Sequence, residues 1–193
     1  MPTSKKTSKQ AKPLTKPLAI KKTAADTSKA KKATVAGASS LEGRKAPSFM
    51  LADRQGNRVK LSDLIAKGNV VLYFYPKDMT PGCTTEACSF RDNIGAIRKL
   101  GAEVVGVSGD SEASHQKFTD KYALNFPLLA DTDLTVAKAY GVYKMKSLYG
   151  RQFMGIERTT FVIDKSGVVR KAFPKVKVNG HTDQVVEALK ELR

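Results

Sequence analysis

The sequence has no tryptophan, only two histidines and two cysteines, and at 7% few aromatic residues. It is also short of acid, with 18 Asp and Glu against 34 Lys and Arg. Two cysteines are too few for the multi-bridge framework of a small secreted domain. His115 and His181 lie at no ligand spacing from Cys83 and Cys88, which argues against a metal site. No apolar run approaches the roughly 18–20 residues that a membrane-spanning helix needs. The opening residues, Met1 to Pro13, lack the apolar stretch of a secretory leader. Every cation before Arg44 is lysine, whereas organelle transit peptides are rich in arginine. These shortages point to the cytoplasm, where thiols stay reduced and a permanent disulfide is not expected.

What is present falls into two parts. Residues 1–40 carry ten lysines and one acid, Asp26, a balance of +9 out of the whole chain's +16. With almost no large apolar side chain, this stretch buries too little surface to offset its ordering entropy. It is expected to be a disordered tail, with its boundary set at residues 1–41. Residues 42–193 have the composition of one globular domain, in a chain that is 41% hydrophobic.

Within that domain, short extended segments alternate with helical ones. Phe49–Ala52 and Arg58–Leu61 flank Gln55-Gly56-Asn57 and predict a hairpin. Asn69–Tyr75 is a continuous β-branched and aromatic run, suited to a central strand buried on both faces. A helix is expected from Pro81 to Leu100, a buried strand over Glu103–Ser108 and a helix over Ser111–Tyr122. Phe126–Leu129 predicts a short strand and Leu134–Tyr140 a short helix. Thr159–Ile163 and Val168–Ala172 predict a late hairpin, and Thr182–Leu192 a closing helix. The alternation implies an α/β three-layer fold around a mixed sheet.

The stretch from Pro76 to Cys88 carries the chemistry. It joins the C-terminal end of a buried strand to a helix, the edge of an α/β sheet where ligands usually bind. Thr80 is a favourable N-cap and Pro81 fits the first helical position, so Cys83 falls in the opening turn. There the helix dipole and unpaired amides favour a thiolate, the nucleophilic form. The same amides can stabilise charge on a peroxide oxygen as its O–O bond breaks, and the Thr80 hydroxyl can orient that peroxide. Cys88 lies five residues on, about 8–9 Å away between Cα atoms on an ideal helix, beyond the roughly 7 Å reach of a disulfide. A bond between the two thiols therefore requires the first turns to unwind. By position alone Arg158, just before Thr159, is one cation among many.

The spacing Pro76-x-x-x-Thr80-x-x-Cys83 resembles the active-site motif of the peroxiredoxins. The longer stretch Tyr75-Pro76-Lys77-Asp78-Met79-Thr80-Pro81-Gly82-Cys83-Thr84-Thr85-Glu86-Ala87-Cys88 is similar to the bacterioferritin comigratory protein group, or peroxiredoxin Q. Further matches are Gly106–Asp110, Phe126–Asp131 and Glu157–Asp164, so the likeness spans about residues 43–193. It implies a thioredoxin-like fold and reduction of hydrogen peroxide and organic hydroperoxides in antioxidant defence. It implies that Cys83 is the peroxidatic cysteine, oxidised to sulfenic acid, and Cys88 the resolving one. Thr80 and Arg158 would hold the thiolate and peroxide, with Pro76 and Gly82 shielding and lining the site. Thioredoxin is the implied reductant and a monomer the implied state, with neither metal nor organic cofactor. Met79 departs from the group, where an acid is common, and so does the lysine-rich tail.

Two other functions stay open. A general thiol-disulfide oxidoreductase would usually show Cys-x-x-Cys, whereas four residues separate these thiols. A nucleic-acid-associated protein would act through residues 1–40, since a flexible polycation binds nucleic acid by releasing counterions. The same lysines would then give a nuclear or nucleoid-associated location instead of a freely cytoplasmic one.

Overall fold

Alternation of side chains along the central strand builds two cores. Val70, Leu72 and Phe74 point to one face of the sheet, and Val71, Tyr73 and Tyr75 to the other, as the period of two requires. The computed structural model describes residues 38–148 and 150–192. The tail, expected to be disordered, lies outside them up to residue 37.

The strands are β1 (Met50–Asp53), β2 (Arg58–Lys60), β3 (Asn69–Phe74), β4 (Ala102–Ser108), β5 (Leu128–Ala130), β6 (Tyr143–Leu148), β7 (Arg151–Ile156), β8 (Thr159–Ile163) and β9 (Val169–Phe173). The helices are α1 (Leu61–Ile65), α2 (Pro81–Lys99), α3 (Glu112–Tyr122), α4 (Thr135–Ala139) and α5 (His181–Lys190). Seven strands form a mixed sheet in the order β2-β1-β5-β4-β3-β8-β9. The β3, β4 and β5 strands run parallel, while β8 lies antiparallel to β3, and β9 to β8. One core takes Phe90, Ile94 and Ile97 of α2, Phe118 of α3, and Val185 and Leu189 of α5. The other takes Leu61 of α1, and Val136 and Ala137 of α4. Two helix layers thus enclose the sheet, the expected three-layer α/β arrangement. Each fully buried Leu, Val or Phe contributes about 1.5–3 kcal/mol of hydrophobic stabilisation.

One expectation needs correction, and one element is new. The domain begins before residue 42: Ala38–Leu41 form a 3-10 turn in which Ala38 and Leu41 are buried against the first core. The Gly43 amide then donates to Val169 O, and Ala172 N to Glu42 Oε1, so this segment occupies the free edge of β9. The lysine-poor end of the tail had enough apolar surface to dock. The new element is the hairpin β6–β7, a separate two-stranded sheet. Its signal was the alternation Tyr143-Lys144-Met145-Lys146, followed by Gly150 in the left-handed region at φ 76. Met145, Phe153 and Met154 remain exposed on it, so no strong apolar pattern marked it.

Candidate active site

The candidate site forms where the sheet hands the chain to α2. β3 ends at Phe74, and the Tyr75 amide still pairs with Val107 O at 3.1 Å. Five loop residues follow, and α2 starts at Pro81. Thr80 is the N-cap, with extended backbone at φ −75 and ψ 148, as expected from the sequence. Its hydroxyl does not cap the helix. It donates instead to Lys77 O at 3.0 Å, because the chain doubles back at Met79, whose φ is 58. The first helical hydrogen bond is made by the Thr84 amide to Thr80 O, at 2.9 Å. The Gly82 and Cys83 amides, at the second and third helical positions, have no acceptor within the helix. An uncapped helix start favours negative charge placed before it.

Cys83 stands at this start and is only 1% exposed, in the core layer that holds Tyr73, Ala87 and Phe90. Arg158 reaches it from just before β8: Nη2 donates to Cys83 Sγ at 3.3 Å, and Nη1 to Gly82 O at 3.4 Å. The residues are 75 positions apart in sequence. They meet because β8 pairs antiparallel with β3, placing Thr159 opposite Phe74. Gly82 matters here for its missing side chain, since a Cβ would lie 3.2 Å from Arg158 Nη2. Arg158, Gly82 and Cys83 are therefore brought together. Pro76 lies exposed at the start of the loop, and Cys88 is a partly exposed free thiol further along α2. The helix is continuous through both thiols, so their Cα separation stays at about 8–9 Å.

Glu86 joins the candidate site without having been expected there. It is 1% exposed and forms an ion pair with Arg158 Nη1 through Oε2, while Oε1 has no hydrogen-bond partner among the described residues. Burial pushes its carboxyl up to about 7, with the charge and hydrogen bond of Arg158 opposing that rise. The signal was available: an acid three residues after Cys83 shares its helical face. The two histidines lie in separate settings. His115 pairs with Asp78 at 2.9 Å, and His181 Nε2 lies 2.8 Å from the Thr160 hydroxyl. Burial, helped by the charge of Arg158 and opposed by a hydrogen bond with Gln184, pushes His181 down to about 4. A buried sulfur at a helix start, touched by a guanidinium, suits a nucleophile whose product charge falls on fixed donors.

The sequence matches the AhpC/TSA family over residues 43–172. The chain belongs to this family of peroxiredoxins. This peroxiredoxin is 52% identical over 147 residues to a putative peroxiredoxin Bcp of Coxiella burnetii, an overlap of 76% of this chain and 97% of the relative. It is 49% identical over 150 residues to peroxiredoxin Bcp of Bacillus subtilis, covering 78% and 95% of the two chains. Among solved structures, Xanthomonas campestris peroxiredoxin Q superposes with a TM-score of 0.70 at 44% identity, covering 74% of this chain and 90% of that one. Peroxidoxin BcpB of Mycobacterium tuberculosis gives 0.72 at 38% identity, covering 79% and 98%. A further Xanthomonas structure, of the bacterioferritin comigratory protein, concerns that protein's alkyl peroxide reduction activity. The fold of this peroxiredoxin is thioredoxin-like, its activity class is thiol peroxidase, and peroxides are its substrate class. Among the described residues no helix is long and apolar enough to cross a membrane.

Proposed function

We propose that Cys83 is the peroxidatic cysteine and Cys88 the resolving cysteine, acting on hydrogen peroxide and organic hydroperoxides. The 3.3 Å contact between Arg158 Nη2 and Cys83 Sγ at the opening turn of α2 carries this reading. The Cys83 thiolate attacks one peroxide oxygen. An S–O bond forms as the O–O bond breaks, and the sulfur is oxidised to sulfenic acid. The departing alkoxide or hydroxide takes up a proton and leaves as alcohol or water. The amides of Gly82 and Cys83 and the Arg158 guanidinium meet the developing charge without reorganising. Thr80 turns its hydroxyl from Lys77 O toward the peroxide, and Pro76 and Gly82 bound the space in which it reacts. The first turns of α2 then unwind, the Cys88 thiol attacks the Cys83 sulfur, water leaves, and a disulfide forms. The dithiol of thioredoxin reduces that disulfide and is itself oxidised. The enzyme works as a monomer in the cytoplasm.

Peroxide consumption coupled to thioredoxin, its reductase and NADPH tests the assignment. Cys83→Ser abolishes turnover. Cys88→Ser allows one oxidation and then stalls until an external thiol is supplied. Continued turnover in Cys83→Ser sinks the assignment.

The ten lysines among residues 1–40 support a further association, non-specific binding of nucleic acid through counterion release. It would hold the peroxidase beside an anionic polymer without altering the chemistry of the domain.

A further inference from the structure

Asp78 takes no part in the steps above, yet its side chain is 2% exposed and fully engaged. Its Oδ1 accepts from the Tyr75 hydroxyl at 2.7 Å, and its Oδ2 accepts from the Ser114 hydroxyl at 2.7 Å. His115 Nδ1 lies 2.9 Å from the same Oδ2. The Asp78 amide donates to Asp110 Oδ2 at 2.9 Å. The middle of the site loop is thus fastened to α3 and to the segment after β4. Burial pushes the Asp78 carboxyl up, but the hydrogen bonds and charge of His115, with the hydroxyls of Tyr75 and Ser114, bring it below its ordinary value. An ionised carboxylate only accepts, which makes His115 Nδ1 the donor. His115 is wholly buried, and its Nε2 has no partner among the described residues, so its hydrogen bonding is directed at this loop.

The next residue explains why the loop needs an anchor. Met79 holds φ 58, a conformation that persists in a non-glycine residue only where its surroundings impose it. Thr80 and Pro81 follow at once and determine where α2 begins, and hence where Cys83 stands against Arg158.

We infer that Asp78 and His115 are a positioning pair: together they hold the turn at Met79, and through it the first turn of α2, in the arrangement that reacts with peroxide. The inference rests on Cys83 being the attacking thiol. It separates the two chemical steps. Attack on peroxide needs the turn folded, whereas the disulfide with Cys88 needs it open. Loss of the pair slows the first step and leaves the second unchanged or faster.

The test mixes full-length wild type, His115→Leu and His115→Asn with hydrogen peroxide in a single turnover. Sulfenic acid is trapped with dimedone, and disulfide is measured by mass spectrometry. Leucine removes the donor, while asparagine keeps an N–H near the Nδ1 position. His115→Leu oxidises roughly tenfold more slowly at Cys83, the effect of one lost hydrogen bond to a charged group, with disulfide formation at or above the wild-type rate. His115→Asn stays within about threefold of wild type. Equal oxidation rates in all three proteins overturn the inference. So does parallel slowing of both steps, which marks general damage. If His115→Leu fails to fold, Ser114→Ala takes its place: slowed oxidation with unslowed disulfide formation supports the pair, and no change in either step overturns it. A wild-type protein that forms no sulfenic acid at Cys83 defeats the assignment of the thiol itself, whatever the variants do.

Discussion

Replacing Arg158 with methionine separates two effects that one guanidinium combines. Methionine retains much of the apolar stem and removes the charge. The first effect is on stability. Glu86 is 1% exposed and loses its cation, with Oε1 already unpartnered among the described residues. Removing one partner of a buried ion pair costs roughly 3–5 kcal/mol if the remaining charge must stay. Glu86 has an escape, because burial already holds its carboxyl at about 7 beside the arginine. Without that cation its value rises further, and at pH 7 it takes a proton. The expected cost at pH 7 therefore falls to about 1–3 kcal/mol, that of the lost hydrogen bonds. Above pH 7 the folded variant keeps a proton that the unfolded chain has released. Stability is then lost as pH rises, by about 1.4 kcal/mol per pH unit relative to wild type, up to the variant's own titration point. The second effect is on chemistry. Loss of a fixed donor at the position of developing charge lowers the rate of Cys83 oxidation roughly 10²- to 10³-fold. Urea unfolding at pH 7 and pH 8, with single-turnover oxidation by hydrogen peroxide, measures both. The double variant Arg158→Met/Glu86→Gln has no carboxyl at position 86, so the pH-dependent loss that Glu86 causes disappears while oxidation stays slow. If the double variant recovers peroxide reactivity along with stability, Arg158 serves only to hold Glu86, and the reasoning about transition-state charge is wrong.

Three further outcomes are expected. Gly82→Ala places a Cβ 3.2 Å from Arg158 Nη2, so the guanidinium must shift by a few tenths of an ångström. A misplacement of that size lowers the Cys83 oxidation rate several-fold, with thermal stability near wild type, and an unchanged rate would show that the contact is loose. His181, held at about 4 when folded against 6.5 ordinarily, makes the unfolded state bind a proton first. Stability therefore falls as pH drops through that window, by on the order of 3 kcal/mol, and the difference from His181→Leu in urea unfolding at pH 7 and pH 4.5 isolates this part. Removing residues 1–37 abolishes DNA binding. The full chain's affinity falls steeply with salt, with a log–log slope of about −0.9 per lysine engaged, and a flat response would eliminate the electrostatic reading.

The local features of the site were legible because they depend on neighbours in the chain. Val70–Phe74 reads as a buried strand from its composition, and Thr80-Pro81 marks a helix start, so Cys83 falls in the first turn whatever surrounds it. The mismatch between Cys83 and Cys88 is likewise a property of any straight helix. Arg158 was different: nothing local singles it out, and only the resemblance to a family of known pattern did so. The same limit hid the β6–β7 hairpin, whose exposed Met145, Phe153 and Met154 blur the apolar alternation.

By itself, the sequence determined the order of the elements of the seven-stranded domain, the helix start and the position of both thiols on α2, but not the β6–β7 hairpin. Tertiary structure alone decided what the Cys83 thiol faces. Pairing of β8 with β3 carries Arg158 to Cys83, packing of α2 on the sheet turns Glu86 inward, and docking of α3 brings His115 to Asp78. The physical reason is range. Backbone preferences act over one or two turns, whereas a charge 75 residues away reaches a sulfur only when the whole sheet has closed.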